Sequence, residues 1–261
     1  MAKVLPHDIS GNKNSTKLLV FLHGYPDTNA VWENILPDLE KEAYVLRVSY
    51  PNFSQQETTK KGLTLEELAD RIKATIDHVN DTKRKVVMVS HDWGCMFGYY
   101  VDYRHPGTVT EMIPMDVGAK FNYFVRFLVY YQVMLAIAWI IGGFIGNFIT
   151  NYFVNLFMYK PAWRYRIDHT WNWAYYDLWK KILLHGFNTD KAILPGYEPS
   201  CNVTYVYATK FKRFQFSNKQ WEDMIARNPK SEAIAVDCSH WIHKAKPEWT
   251  VDLIKSKLAR V

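Results

Sequence analysis

Short apolar runs alternate along the chain with longer segments whose apolar residues recur at helical spacing. The runs are rich in Val, Ile, Leu and Met, and they predict buried strands at residues 17–22, 43–48, 86–89, 110–115, 202–208 and 233–236. The spacing of apolar residues predicts helices at residues 32–40, 64–78, 219–227 and 247–258. Strands that alternate with helices form a mostly parallel sheet covered on both faces, so the pattern predicts an α/β fold.

The alternation is interrupted between residues 118 and 190, where the sequence is long, aromatic and helical in pattern. We therefore predict a core formed by residues 1–117 and 191–261, with an inserted helical lid at residues 118–190. Ligands of parallel sheets bind at the carboxyl ends of the strands. An insertion at this point of the chain is placed where it could roof such a site.

One part of the predicted lid is unusually apolar. No charged residue occurs from Phe127 to Tyr159, and the stretch from Val133 to Gly146 is nearly all apolar. A run of this length raises the question of a membrane-spanning helix. Because Gly142-Gly143 and several Asn and Gln residues interrupt it, the sequence favours two or more amphipathic helices that cover a pocket. Peripheral contact of this apolar lid with a membrane surface stays open as the alternative.

Composition and charge exclude several classes of protein. A hydrophobic fraction of 48% and an aromatic fraction of 16% over 261 residues imply a substantial folded core. The formal charge of +6 is modest and the Lys and Arg residues are dispersed, which argues against a nucleic-acid partner. Three cysteines, odd in number and far apart, indicate neither a disulfide framework nor a metal site. The first residues lack an apolar signal region, so a cytoplasmic location is expected. The oligomeric state is left open.

The strand at residues 86–89 leads into the pentapeptide at residues 90–94 (SHDWG) and then into a predicted helix. A strand, a sharp turn with small residues two positions either side of its centre, and a helix make the layout of a nucleophile elbow. Ser90 and Gly94 meet the requirement for small residues, which makes Asp92 the centre. A carboxylate there attacks carbon and leaves an ester that water must cleave. The alternative is that Asp92 only caps the helix.

Cleavage of such an ester requires a general base. His240 follows the last short strand and precedes the last helix, and this position makes it the first candidate. His243 competes with it but lies further toward the helix. His23 and His91 are expected to orient loops.

Three motifs occur in an order that spans most of the chain: residues 23–26 (HGYP), 90–94 (SHDWG), and 239–241 (SHW) followed by a Pro-Glu pair at 247–248. On these motifs the chain resembles proteins of the α/β-hydrolase fold. Within that fold it is similar to the epoxide hydrolases and haloalkane dehalogenases, which use an aspartate nucleophile. The resemblance implies a mostly parallel central sheet flanked by helices, with an inserted helical cap.

The same resemblance implies a role for several residues. Asp92 takes the place of the nucleophile and His240 that of the base. The backbone N–H groups of Tyr25 and Trp93 take the place of an oxyanion hole, which stabilises the charge that develops when water attacks the ester. Haloalkane dehalogenases usually have Asn after His-Gly, whereas this chain has Tyr25, and an aromatic residue there resembles the epoxide hydrolases.

Epoxide hydrolases also use two lid tyrosines that protonate the epoxide oxygen as the ring opens. The segment at residues 172–176 (NWAYY) is similar to the second tyrosine motif of that family, which implies Tyr175 or Tyr176. Tyr130 or Tyr131 is the candidate for the first. The alternative for each is plain aromatic packing in the lid. The predicted lid also holds four further tyrosines, Tyr123, Tyr152, Tyr159 and Tyr165.

The third acid departs from the commonest pattern of the family, which places it after the strand here predicted at residues 202–208. The residues that follow that strand include no carboxylate. Some dehalogenases carry the acid after an earlier strand, and Asp116 takes that place here. We therefore expect Asp116 to orient His240 and to stabilise its imidazolium.

The resemblance thus implies a cofactor-free hydrolase of the epoxide hydrolase type, acting on a small apolar substrate. The alternatives left open are a haloalkane dehalogenase, a cofactor-free oxygenase with the same motifs, and a ligand-binding homologue with little turnover. The missing acid after residue 208 motivates the last of these.

Overall fold

The computed structural model of the protein describes residues 2–54, 56–120, 126–157, 167–210, 216 and 218–261. The described residues form one seven-stranded sheet in the order β1-β3-β2-β4-β5-β6-β7. Its strands are β1 (His7–Gly11), β2 (Lys17–Leu22), β3 (Tyr44–Val48), β4 (Lys85–His91), β5 (Glu111–Met115), β6 (Asn202–Ala208) and β7 (Glu232–Val236). β1 is antiparallel to β3 and the other pairings are parallel. The predicted strands and the mostly parallel sheet are confirmed.

Helices connect the strands. They are α1 (Leu36–Leu39), α2 (Leu65–Val79), α3 (Trp93–Arg104), α4 (Arg126–Ile141), α5 (Gly143–Phe157), α6 (Trp173–Leu184), α7 (Thr189–Ala192), α8 (Lys219–Ile225), α9 (Ile242–Ala245) and α10 (Pro247–Leu258). At the start of α2, the Thr64 hydroxyl accepts a hydrogen bond from the Glu67 N–H (3.1 Å) and the Glu67 carboxylate accepts one from the Thr64 N–H (2.8 Å). This reciprocal capping box fixes the start of the helix.

The single helix predicted at residues 32–40 is wrong. A 3₁₀ turn ends at Trp32, and α1 begins only at Leu36. Pro37 lies in the first turn of α1, where its missing N–H costs no helical hydrogen bond. A continuous helix over residues 32–40 would need an N–H at position 37 to donate to the carbonyl of residue 33, and proline has none, so the two short segments do not merge.

The chain divides into two compact units. The first consists of residues 1–49, 68–122 and 197–261 and contains the sheet. Its main core lies where buried side chains of β2 and β4 pack with α1 and α10, as Leu19, Val89 and Ile254 do. The parallel strands β2, β4, β5 and β7 have their carboxyl ends on the same side of the sheet. The loops that follow these strands carry the candidate site residues.

The second unit consists of residues 50–67 and 123–196, and its described helices are α4 to α7. It differs from the predicted lid by including residues 50–67, which the sequence placed in the core. Hydrogen bonds explain the difference. The Asn52 side-chain amide donates to the Thr170 carbonyl (2.8 Å), and the Asp177 carboxylate accepts from the Leu65 N–H (2.9 Å).

α4 and α5 form a hairpin that breaks at Gly142 and Gly143, whose φ angles are +65° and +55°. Such left-handed backbone suits glycine because a Cβ would clash there. The predicted interruption of the apolar stretch therefore occurs, and no described helix is long and apolar enough to cross a membrane. The expected amphipathic character is wrong, because Gln132 and Thr150 are buried while Phe148 is 65% exposed.

Candidate active site

The turn after β4 has the geometry of a nucleophile elbow. Asp92 has φ +53° and ψ −123°, and α3 begins at the next residue. Backbone passes close to this turn, since a Cβ on Gly94 would lie 2.2 Å from the carbonyl oxygen of Leu22. A Cβ on Gly24 would lie 2.4 Å from the Cβ of Asp92. Glycine at both positions allows the loop after β2 to lie against the elbow.

Two groups hold the Asp92 carboxylate. Its Oδ1 accepts a hydrogen bond from the backbone N–H of Tyr25 at 2.7 Å. Its Oδ2 lies 3.5 Å from Nε2 of His240. The two carboxylate oxygens are therefore in different surroundings, one bound by a backbone donor and the other facing an imidazole. Trp93 is the first residue of α3, where a backbone N–H has no acceptor within its own helix.

The opposite nitrogen of His240 is held by Asp116. Nδ1 of His240 donates to Oδ2 of Asp116 at 2.5 Å. Asp116 follows β5 and has a positive φ of +75°. Its Oδ1 accepts a hydrogen bond from the Ala208 N–H at the end of the neighbouring strand β6 (2.8 Å). The carboxylate thus reaches the end of β6, where no acid follows in the sequence.

The charges of these groups are coupled. Burial alone would lower the pKa of His240, but hydrogen bonds to Asp116 and Asp92 raise it to about 10. Burial alone would raise the pKa of Asp92, but the hydrogen bond and the charge of His240 bring it below its ordinary value. In the resting site an imidazolium therefore lies between two carboxylates.

His91 supports the loop that carries His240, as expected for a loop-orienting residue. Its Nε2 donates to the backbone carbonyl of His240 at 3.0 Å, and the two rings lie 4.5 Å apart between centroids. Burial lowers the pKa of His91 well below its ordinary value, so the ring is neutral. The competing base, His243, is 1% exposed and its ring centroid lies 4.5 Å from that of Trp32.

Asp27 connects the loops that follow β2 and β7. Its Oδ2 accepts a hydrogen bond from the Trp241 indole N–H at 2.9 Å, and its Oδ1 lies 4.0 Å from the Lys244 ammonium. Burial raises the pKa of Asp27 to about 6, and the charge of Lys244 and the hydrogen bond from Trp241 oppose that rise. Since Trp241 follows His240 directly, this bond fastens the loop of the base to the loop of Tyr25.

Sequence analysis did not identify Asp27, Trp241 or Phe216 as neighbours of the base. The ring of Phe216 lies 5.5 Å from that of His240 between centroids. Asp27 could have been noticed because it follows the HGYP motif directly. Nothing in the sequence around Phe216 signals its position.

The candidate tyrosines lie in the second unit. Tyr131 and Tyr175 are buried and their rings meet edge to face, 5.8 Å apart between centroids. Tyr176 is half-buried, and Tyr130 is 54% exposed. Their role in activating an epoxide stays a prediction. Of the other tyrosines of the lid, Tyr152 is exposed, and Tyr123, Tyr159 and Tyr165 lie outside the described residues.

Comparisons with known proteins agree on the fold. Residues 19–253 match the model of the alpha/beta hydrolase family. Epoxide hydrolase 3 of Mus musculus is 28% identical over 123 residues, which are 44% of this chain and 33% of that protein. The chain spans about a third of the length of the curated relatives it matches.

Solved structures extend the likeness to nearly the whole chain. A Pseudomonas aeruginosa protein assigned as an epoxide hydrolase has a TM-score of 0.71 at 17% identity, covering 97% of this chain and 91% of that one. A marine microorganism esterase has a TM-score of 0.66 at 14% identity, covering 97% and 99%. The predicted α/β-hydrolase fold is confirmed. Because epoxide hydrolases and esterases share it, the fold alone does not assign the reaction.

Proposed function

Because this chain belongs to the alpha/beta hydrolase family, we propose that it opens an apolar epoxide to a diol through an ester on Asp92. Water activated by His240 then cleaves the ester. The observation that carries the proposal is the identity of the side chain at the elbow. A carboxylate stands there with one oxygen 3.5 Å from a histidine that a second carboxylate holds.

Ester formation uses the oxygen that has no backbone donor on it. The Tyr25 N–H occupies Oδ1 of Asp92, so Oδ2 attacks an epoxide carbon. The ring C–O bond breaks, its electron pair stays on the epoxide oxygen, and that oxygen takes up a proton. A tyrosine hydroxyl supplies this proton in the proposal, with Tyr175 or Tyr176 and Tyr130 or Tyr131 as the candidates.

Ester hydrolysis then follows from the change in charge. Once Asp92 is esterified its negative charge is gone, and one of the hydrogen bonds that raised the pKa of His240 is lost. The pKa of His240 falls, and its Nε2 gives up its proton, by way of solvent, to the tyrosinate that ring opening left. The neutral nitrogen then takes a proton from water. The resulting hydroxide attacks Cγ of Asp92, and charge develops on Oδ1, where the Tyr25 N–H already lies at 2.7 Å. Trp93 is the predicted second donor.

Asp116 has two tasks in this step. It holds the imidazole so that Nε2 faces Asp92, and its charge stabilises the imidazolium that forms. The imidazolium gives its proton to Oδ2 as the Cγ–Oδ2 bond breaks, so that Oδ2 leaves as a hydroxyl of the diol. The oxygen from water stays on Asp92, whose acid proton returns to Nε2 of His240.

The other candidate functions differ in what supports them. A haloalkane dehalogenase would use the same three side chains, so only the substrate separates the two reactions. The ligand-binding alternative depended on a missing acid, and the hydrogen bond from His240 to Asp116 supplies a carboxylate at the nitrogen that needed one. This contact favours turnover over binding alone.

A single-turnover experiment tests the proposed route. The protein is held in excess over each of a panel of apolar epoxides and haloalkanes, in water labelled with heavy oxygen. We expect this diol to carry ordinary oxygen from Asp92, and the label to appear in the diol only when an excess of substrate is added afterwards. Heavy oxygen in the first diol would show direct attack by water and overturn the ester. Halide release without any diol would assign the dehalogenase reaction instead. The Asp92→Asn variant is the control and must have the same fold. Release of neither diol nor halide from any substrate of the panel would overturn both the epoxide hydrolase and the dehalogenase reactions.

A further inference from the structure

The second unit presents an apolar surface on its outer side, formed by the exposed side chains of the α4–α5 hairpin. We call this surface the hairpin face, and it consists of Tyr130, Ile140, Ile141, Phe144, Ile145, Phe148, Tyr152 and Leu156. Each of these side chains is at least half exposed, and Phe144 reaches 85%. Single exposed apolar residues are normal on a protein surface, but a contiguous group marks an interaction site.

The exposed residues of α5 follow the period of the helix. Phe144, Phe148, Tyr152 and Leu156 are four positions apart and therefore lie along one side, over a length of about 18 Å at 1.5 Å per residue. The opposite side of α5 carries the buried Thr150, whose hydroxyl accepts a hydrogen bond from the Asn172 side chain at 2.8 Å. The apolar stripe is thus the outer face of a helix whose inner face is already packed.

The charged residues that flank the hairpin in the sequence have one sign. Between Asp116 and Asp168 the chain has no acidic residue, and its charged residues there are Lys120, Arg126, Lys160, Arg164 and Arg166. Across the wider segment of residues 123–196, seven Lys and Arg stand against three Asp. An apolar stripe in a segment whose sequence is cationic complements a bilayer surface, where acyl chains lie beneath anionic headgroups.

We propose that the hairpin face inserts into the surface of a lipid bilayer that carries anionic headgroups. The stripe of α5 lies in the plane of the interface and buries its aromatic and aliphatic side chains. The cationic residues before and after the hairpin are attracted to the headgroups. A second copy of the chain fits the face less well, because the same segment of a second copy offers no acidic residue between Asp116 and Asp168 to complement the cationic ones.

Sedimentation with vesicles tests this proposal. The whole chain is incubated with vesicles of phosphatidylcholine alone and with vesicles that contain phosphatidylserine in addition. We expect binding to the mixed vesicles, at least ten-fold weaker binding to phosphatidylcholine alone, and weaker binding as salt is added. The test variant is Phe144→Ser with Phe148→Ser, which should lower the partition into mixed vesicles by at least ten-fold. Both residues are exposed, so the fold should be kept, and the thermal unfolding midpoint verifies this.

A matched variant controls for the loss of apolar surface as such. Leu183→Ser with Leu184→Ser removes two exposed apolar side chains from α6 of the same unit, and it should bind vesicles within two-fold of the unchanged protein. Equal loss in both variants would overturn the assignment to the hairpin face. Failure of the unchanged protein to bind mixed vesicles would overturn the lipid proposal. If light scattering shows that the unchanged protein is an oligomer and that the Phe144→Ser, Phe148→Ser variant is a monomer, the hairpin face binds a second copy of the chain instead.

Discussion

Asp116 and His240 are 124 positions apart in the chain, and a hydrogen bond of 2.5 Å joins their side chains. The carboxylate is fixed on its other oxygen by the Ala208 N–H. The carboxylate of an acid that follows β5 therefore lies at the end of β6. This arrangement makes the role proposed for Asp116 directly testable.

We expect Asp116→Asn to slow hydrolysis of the Asp92 ester by roughly 10²- to 10⁴-fold, because the amide neither fixes the imidazole tautomer nor stabilises its charge. Ester formation should change far less. Rapid-quench kinetics with intact-mass detection separates the two steps. Glu111→Gln, a buried carboxylate of the same strand bonded to Thr204, is the control and should leave both rates close to those of the unchanged protein. Equal slowing of both steps would contradict the assignment.

Removal of the charge of Asp92 should lower the pKa of His240, since Asp92 contributes both a hydrogen bond and a charge that raise it. Asp92→Asn reproduces the charge of the ester, and nuclear magnetic resonance of the imidazole follows the titration. Asp70→Asn, which removes an ion pair with Arg104, should leave it unchanged. An unaltered pKa in Asp92→Asn would contradict the proposed activation of the base.

The same variant has a consequence for stability. A histidine whose pKa is raised from 6.5 to about 10 on folding contributes stability that is complete below pH 6.5 and is lost as the pH rises toward 10. We therefore expect the free energy of unfolding to fall less over this pH window in Asp92→Asn than in the unchanged protein. Urea unfolding at a series of pH values measures the difference.

Ionisation of Asp27 should lower the free energy of unfolding, whereas ionisation of an acid whose pKa falls on folding raises it. Its pKa is raised from 3.8 to about 6, so folding favours the neutral acid, and stability is lost as the pH rises through this interval. Asp27→Asn should therefore gain stability relative to the unchanged protein between pH 4 and pH 7, by up to about 3 kcal/mol. Asp38→Asn, at an exposed position, should show no such gain. A constant difference across the pH range would show that Asp27 is ionised throughout.

The proposed role of the lid tyrosines as proton donors can be tested by comparing substrates with different leaving groups. Opening of an epoxide needs a proton on oxygen, whereas a halide leaves as a stable anion. If Tyr175 or Tyr176 supplies the proton, its change to Phe should slow ester formation from an epoxide by on the order of 10²-fold. Ester formation from a haloalkane should stay nearly constant. Tyr152→Phe serves as the control because this residue is exposed. Equal slowing with both substrates would point to packing rather than proton transfer.

The sequence predicted the sheet well because buried parallel strands are short, continuous apolar runs, as at residues 86–89. It located Asp92 because an elbow needs small residues at fixed spacing. The Asp116–His240 contact could only be expected from a resemblance, since no local pattern joins residues on different strands. The outer face of α5 was missed for another reason. Periodicity shows that a helix has two faces, but here the exposed one is apolar and the buried one holds Thr150.

The bond between Asp27 and Trp241 spans 214 positions, and the base follows β7, which pairs only with β6 at the edge of the sheet. Contacts this distant in sequence form late in folding, because the loops they close are long. A nascent chain that has already built β2, β4 and the elbow therefore carries a carboxylate with no base to complete its cycle. During refolding we therefore expect the proposed turnover to return after the helical circular dichroism signal, when β7 and the loop that follows it have docked.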